Sequence, residues 1–150
     1  MNRIVILIMV MVPLLWVADG SSANLMVHPE VDCVYDDDLN LSWIRNANLA
    51  GNPIDWPEAL EWVNNLYSAG FDGWRLPSIE ELTHINKVEG VSGVDPGPFR
   101  NLKADDYWSS TEYAPGSRYA WSFTFGWKFP HWGYKGYKHF VWPVHQGRCS

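Results

Sequence analysis

Only two of the 150 residues are cysteine, and only 19% carry a charge. Two cysteines are too few for a miniature scaffold held together by disulfides. Scarce charge beside 15% aromatic residues excludes a disordered chain, which is rich in charge and poor in rings. There is no internal repeat and no low-complexity stretch. After Ala18 no apolar run approaches the ~20 residues a helix needs to cross a bilayer. Acidic residues stop altogether at Glu112. What the chain has in excess is tryptophan, ten in all, a load that needs a core, a binding surface or both. The length suits one domain with a short extension. A formal charge of −6, taken alone, argues against a polyanionic partner.

The first residues read as a targeting segment. Met1-Asn2-Arg3 is a short basic start, Ile4 to Ala18 is unbroken apolar sequence, and Asp19-Gly20-Ser21-Ser22-Ala23 is small and polar. This is the pattern of a secretory signal peptide, with cleavage after Gly20 or after Ala23. The apolar run is too short for a membrane anchor, and no Cys follows it to carry a lipid. The division expected is 1–23 signal peptide, 24–32 lead-in and 33–150 domain. The product is expected to be secreted or periplasmic, with no membrane insertion once the signal is removed. An oxidising compartment lets Cys33 and Cys149 pair, and such a bridge between the chain ends is worth about 4–5 kcal/mol in the chain-entropy account.

Short strands are expected at Val31–Tyr35 and Leu41–Ile44, joined by the turn Asp36-Asp37-Asp38-Leu39-Asn40. The acidic triplet could attract a hard cation, but it lacks the Gly and distal Glu of an EF-hand loop and reads as a solvated turn. A first helix is capped by Asp55, carries Pro57 and Glu58 in its first turn, repeats Ala59, Leu60, Val63, Leu66 and Tyr67 on one face, and stops at Gly70. A second follows Arg75-Leu76-Pro77, with Ser78 and Glu81 as a capping box, Ile79, Leu82 and Ile85 facing inward, and Gly90 as its stop. Residues 89–106 read as a long ordered loop. Strands return at Tyr107–Thr111 and from Tyr119, where Tyr119, Trp121, Phe123 and Phe125 alternate with Ala120, Ser122, Thr124 and Gly126. A last strand is expected at His139–Val144, with Pro143 near an edge. Helices and strands segregated along the chain give an α+β domain.

Several segments occur in a distinctive order: Tyr35-Asp36 and Trp43, Trp56-Pro57-Glu58-Ala59-Leu60, Gly73-Trp74-Arg75-Leu76-Pro77-Ser78 with Glu81-Leu82, Tyr107-Trp108-Ser109-Ser110-Thr111, and Val141-Trp142-Pro143-Val144. In this order the chain, from about residue 33 to 148, resembles the Lcl C-terminal domain family of secreted bacterial proteins. The resemblance implies a variant of the C-type lectin-like fold, with two helices packed on short antiparallel sheets, long loops and neighbouring termini. It also implies kinship with the globular end of a collagen-like adhesin that binds sulfated glycosaminoglycans, and a more distant kinship with formylglycine-generating enzymes. The closing motif has His145 where the family usually has Arg.

The residues themselves argue against catalysis. Arg75 reads as a structural partner of a carboxylate or carbonyls. Ser109, Ser110 and Thr111 lack the turn and positioned base of a nucleophile and read as cross-strand hydrogen-bonding groups. The two cysteines are too far apart in sequence for the close pair of formylglycine-generating enzymes, and no paired acids mark a glycosidase. His131, His139 and His145 match no standard zinc spacing and have no acidic or thiolate neighbours in sequence. No catalytic residue, metal or cofactor is expected.

Charge and rings point instead to binding. Residues 24–112 hold 16 acids against 5 bases, whereas residues 113–150 hold no acid, 5 bases and 12 aromatics. Within that tail Arg118, Lys128, His131, Trp132, Tyr134, Lys135, Tyr137 and Lys138 are the expected ligand-binding set. Rings stack on sugars, Lys and Arg pair with sulfate or carboxylate, and the interleaved glycines let the backbone conform. The expected partner is an anionic polysaccharide or glycosaminoglycan. The rival expectations are a protein-docking or homo-oligomer surface, or a divergent enzyme on the same fold. Nucleic acid is not expected for an exported protein. Trp132 is the ring expected to face a ligand.

Overall fold

The computed structural model describes residues 24–88 and 91–149. The signal segment, its cleavage site and the Gly90 helix stop lie outside the described residues. Among them, no helix is long and apolar enough to cross a membrane. Nine elements follow in order: β1 (Leu25–His28), β2 (Cys33–Asp36), β3 (Leu41–Ile44), α1 (Trp56–Asn64), α2 (Ile79–Lys87), β4 (Asp106–Glu112), β5 (Tyr119–Thr124), β6 (Phe129–Tyr134) and β7 (Val144–Gln146). They form a four-stranded sheet ordered β1-β2-β3-β7 and a three-stranded sheet ordered β4-β5-β6. All strand pairs are antiparallel, so the domain is α+β.

Both helices start where their caps place them. The Asp55 carboxylate accepts the Glu58 N–H at 3.0 Å. Ser78 Oγ accepts from Glu81 N–H while the Glu81 carboxylate accepts from Ser78 N–H, closing the capping box. The ends differ from expectation for α1, which stops at Asn64 rather than running to Gly70. Asn65 turns its backbone and side-chain N–H groups onto the Glu61 carbonyl. Ser68 and Phe71 then pair as a tight turn, with Ala69 and Gly70 at φ 56° and 83°. The buried Trp74 indole N–H donates to the carbonyls of both Ser68 and Phe71, holding that turn away from the helix axis.

Three strand expectations are corrected. The lead-in contains β1, which pairs with β2. The stretch from His131 to His139, whose interleaved glycines are expected to let a loop conform, instead starts inside β6, which runs in register with β5. The last strand is Val144–Gln146, not His139–Val144. Residues 139–143 instead pass between the sheets as a strap: His139 pairs with Ile54, Phe140 bonds Asp106 and Trp108, and the Pro143 carbonyl accepts the Ile44 N–H. Pro143 has no N–H to continue a ladder.

The larger core lies between the two sheets and α2, built from Val34, Leu41, Trp43, Leu82, Ile85, Tyr107, Phe123, Phe125 and Trp142. A smaller one joins α1 to the opposite face of the three-stranded sheet through Trp56, Ala59, Val63, Leu76, Trp108, Ala120 and Val141. Buried indoles do more than fill space. The N–H groups of Trp56, Trp108 and Trp142 donate to the carbonyls of Ser109, Ile54 and Ile44, tying loops to strands. Cys33 and Cys149 are disulfide-bonded across 116 positions, which places the end of the described chain beside β2. Ser42 secures the same joint, accepting from Cys149 N–H and donating to the Gly147 carbonyl.

Candidate functional site

The distinctive motifs meet one another rather than a cleft. Arg75 makes a two-pronged ion pair with Glu81 at 2.7 and 2.8 Å, and also donates to the Leu76 carbonyl. That bond raises the guanidinium pKa; burial pushes the Glu81 carboxyl up, but Arg75 and the Ser78 N–H together outweigh it and hold the carboxyl below its ordinary value. Thr111 Oγ1 accepts the first N–H of α2, from Ile79, and Ser110 donates to the Pro77 carbonyl through both its N–H and its hydroxyl. Ser109 Oγ donates across the sheet to the Trp121 carbonyl. The two sequence signatures are thus halves of one clamp between α2 and β4, as the structural reading of Arg75 and the hydroxyls expects.

The ring-bearing site is at the far end of the three-stranded sheet. Register sets Tyr119 opposite Tyr134 and Trp121 opposite Trp132, so all four side chains share one face. Tyr113, just beyond β4, stacks on Trp132 with ring centres 4.8 Å apart and planes 22° from parallel. Tyr119 meets Trp132 edge-on at 5.3 Å and lies 6.2 Å from Tyr134, and Tyr137 meets Tyr134 at 5.8 Å. The result is a contiguous ladder of rings. Trp132 is 48% exposed and Tyr137 60% exposed. A Cβ at Gly136 would fall 2.5 Å from the Tyr134 ring, so glycine there leaves room for the ring to lie across the backbone. Beyond Trp121 the same face continues into a groove of about 490 Å³ between α2 and the sheet, lined among others by Thr83, His84, Thr111 and Pro130.

The eight expected binding residues separate into four places. Arg118, Trp132, Tyr134, Tyr137 and Lys138 lie together at the ladder end, where the Arg118 carbonyl accepts the Lys135 N–H. Lys138 is exposed, its Nζ 3.9 Å from Glu58. Lys135 is diverted: its ammonium lies 2.6 Å from Glu112 and 4.1 Å from the centre of the Trp56 ring, and its side chain is only 16% exposed. It ties the ladder end to α1. Lys128 occupies the β5–β6 turn at the opposite end of the sheet, at φ 62°.

His131 points through the other face. Its Nε2 lies 3.2 Å from Ser122 Oγ and 3.5 Å from Asp106 Oδ2. His139 Nε2 is 3.9 Å from the same Asp106 oxygen, and its ring stacks on Trp108 at 4.0 Å. Burial lowers the His139 pKa, Asp106 opposes that, and the neighbouring His131 adds to it. His145 is elsewhere, against Phe71 and Trp74. The histidines therefore do not converge as a set of three, although two of them gain the acidic neighbour that the linear sequence withholds. Because His131 presents one nitrogen to both Ser122 and Asp106, this grouping is not the relay that activates a serine.

Sequence reasoning passed over Trp127, which is 81% exposed at the hairpin turn beside Phe129. It also passed over the half-buried Tyr113 and Tyr119 as members of the ladder. The signal for Tyr119 was the alternation itself, read without asking which face is covered. The matched family model is the Lcl C-terminal domain, over residues 32–145. No curated protein matches the chain significantly. With that match spanning most of the sequence, and with its motifs forming one structural clamp, the chain belongs to the Lcl C-terminal domain family.

Proposed function

We propose that this chain is an exported, non-catalytic binding module, C-type lectin-like in design, for an anionic or sulfated polysaccharide. The observation that carries the reading is the ring ladder of Tyr113, Tyr119, Trp132, Tyr134 and Tyr137, in which register sets Tyr119, Trp132 and Tyr134 side by side and Trp132, Tyr134 and Tyr137 are open to solvent. Flat, pre-positioned rings offer apolar faces to sugar C–H groups at small entropic cost. Arg118 and Lys138 are exposed on segments flanking the same end, Lys138 with its ammonium 3.9 Å from Glu58, and are the cations we assign to sulfate or carboxylate. The Cys33–Cys149 disulfide suits an oxidising compartment, in keeping with the signal-like first residues. An adhesin-like role is proposed on the family resemblance alone, not on any one residue.

The test is a glycan array read at two salt concentrations, followed by titration of the hits. Binding that weakens with salt, and falls at least tenfold in Trp132→Ala and in Arg118→Ala with Lys138→Ala, supports the proposal. Absent or salt-insensitive binding overturns it. A second reading, self-association, draws on the exposed Trp127 and Phe129 at the hairpin turn. A solution mass that rises with concentration, and no longer does so in Trp127→Ser, would favour it.

A further inference from the structure

A second cluster lies away from the ladder, where the β2–β3 turn meets α2. Asp36 ends β2 with its side chain wholly buried. Its Oδ1 accepts the N–H groups of Asp38 and Leu39 at 3.2 and 3.4 Å, which fixes the plane of the carboxylate. Its Oδ2 is left without a hydrogen-bond partner. His84, on α2, places Nε2 3.2 Å from that oxygen, and this nitrogen is likewise buried without a hydrogen bond. The two atoms are close but not aligned along an N–H direction. Asp38 adds a carboxylate, so that one ligand atom from each of Asp36, Asp38 and His84 lies within 4.8 Å of the others.

A buried carboxylate oxygen with no partner is costly, and so is a buried imidazole nitrogen in the same state. Ligand atoms held about 2.1–2.2 Å from one ion at neighbouring tetrahedral or octahedral corners stand roughly 3.0–3.6 Å apart. The Asp36–His84 separation falls in that range. We infer that Asp36, Asp38 and His84 form a binding site for a divalent transition-metal ion. An imidazole beside two carboxylates favours the borderline Zn²⁺, and less strongly the harder Mn²⁺, over Ca²⁺, which takes oxygen ligands. The expectation of a merely solvated Asp36–Asp38 turn thus gives way to one in which α2 supplies the deciding ligand. The Asx-type bonds to Oδ1 act as outer support, orienting the carboxylate toward the ion. The ion would join the four-stranded sheet to α2 at one end of the groove that His84 also lines, and the inference stands independently of the polysaccharide reading.

The experiment uses the whole domain, treated with chelator and then titrated with Zn²⁺, Mn²⁺ and Ca²⁺, with binding heat and thermal midpoint as readouts. One equivalent of Zn²⁺ or Mn²⁺ is expected to bind at least tenfold more tightly than Ca²⁺ and to raise the midpoint. Asp38→Asn, at an exposed turn position, and His84→Gln should each weaken binding tenfold or more, while His131→Gln leaves it unchanged. No stoichiometric binding by the folded domain overturns the inference. So does binding that survives both Asp38→Asn and His84→Gln, or that is lost in His131→Gln.

Discussion

The two faces of the β4-β5-β6 sheet are built from the same strands by the same alternation, yet they have opposite fates. One face carries Ala120, Ser122, Thr124, His131 and Gly133, and its small and polar side chains are mostly buried beneath Trp108, His139 and α1. The other carries Tyr119, Trp121, Trp132 and Tyr134, and at its far end the rings remain open. Hydropathy alone would assign them the other way. The small face is buried because bulk comes from its neighbours, Trp108 of β4 on the same face and Trp56 of α1 from outside the sheet, and because its hydroxyls find partners: Ser122 meets His131, and Ser109 meets a backbone carbonyl. The aromatic face is open at one end because α2, nine residues long, covers only the part near Phe123 and Trp121. A large ring left uncovered in a small domain is the informative case, more so than any buried one.

Removing one indole from each face tests that contrast most strongly. Trp108→Ala is expected to cost about 3–5 kcal/mol by urea unfolding, from lost burial and a cavity, whereas Trp132→Ala should cost under about 1 kcal/mol. Comparable losses in the two variants would mean that the ladder is core. The lysines provide a second contrast. Lys135→Ala should lower stability, by breaking its contacts with Glu112 and Trp56, and leave the salt dependence of ligand binding intact. Arg118→Ala with Lys138→Ala should do the reverse, which urea melts and salt titrations of binding would resolve.

The buried face also has a pH signature. His139 has a depressed pKa in the fold, so on acidification through about 6.5 the unfolded chain gains a proton that the native state resists. Stability contributed at this site is present above that range and declines as pH falls. His139→Phe, keeping a ring against Trp108, should flatten the decline between pH 7.5 and 5.5 in unfolding midpoints, and an unchanged slope would place the effect elsewhere. The smallest effect is expected from Gly136→Ala. The added methyl should swing Tyr134 out of the ladder, altering ligand binding and tyrosine fluorescence while the thermal midpoint moves little.

Some of this was legible in the residues. Asp55, Ser78 and Glu81 announced both helix starts, because a cap acts within four residues. The hydroxyls of Ser109 to Thr111 were readable as hydrogen-bonding groups, and Trp132 as an exposed ring. The α1 stop was not readable, since it depends on Trp74 capturing two carbonyls from outside the helix. The diversion of Lys135 depends on Glu112 and Trp56, both distant in sequence. The Asp36–Asp38 turn looked solvated because its decisive neighbour, His84, lies on another element.

By itself the sequence determined the α+β class, the cap positions, the pairing of rings on alternate residues and the division into an acidic front and a basic, aromatic tail. These are local or additive properties, carried by spacing and composition. Only the tertiary structure decided which sheet face is covered, which cations are already paired, and which histidine meets which carboxylate. Those outcomes depend on residues brought together from distant parts of the chain, and the pattern of a single strand holds no record of them.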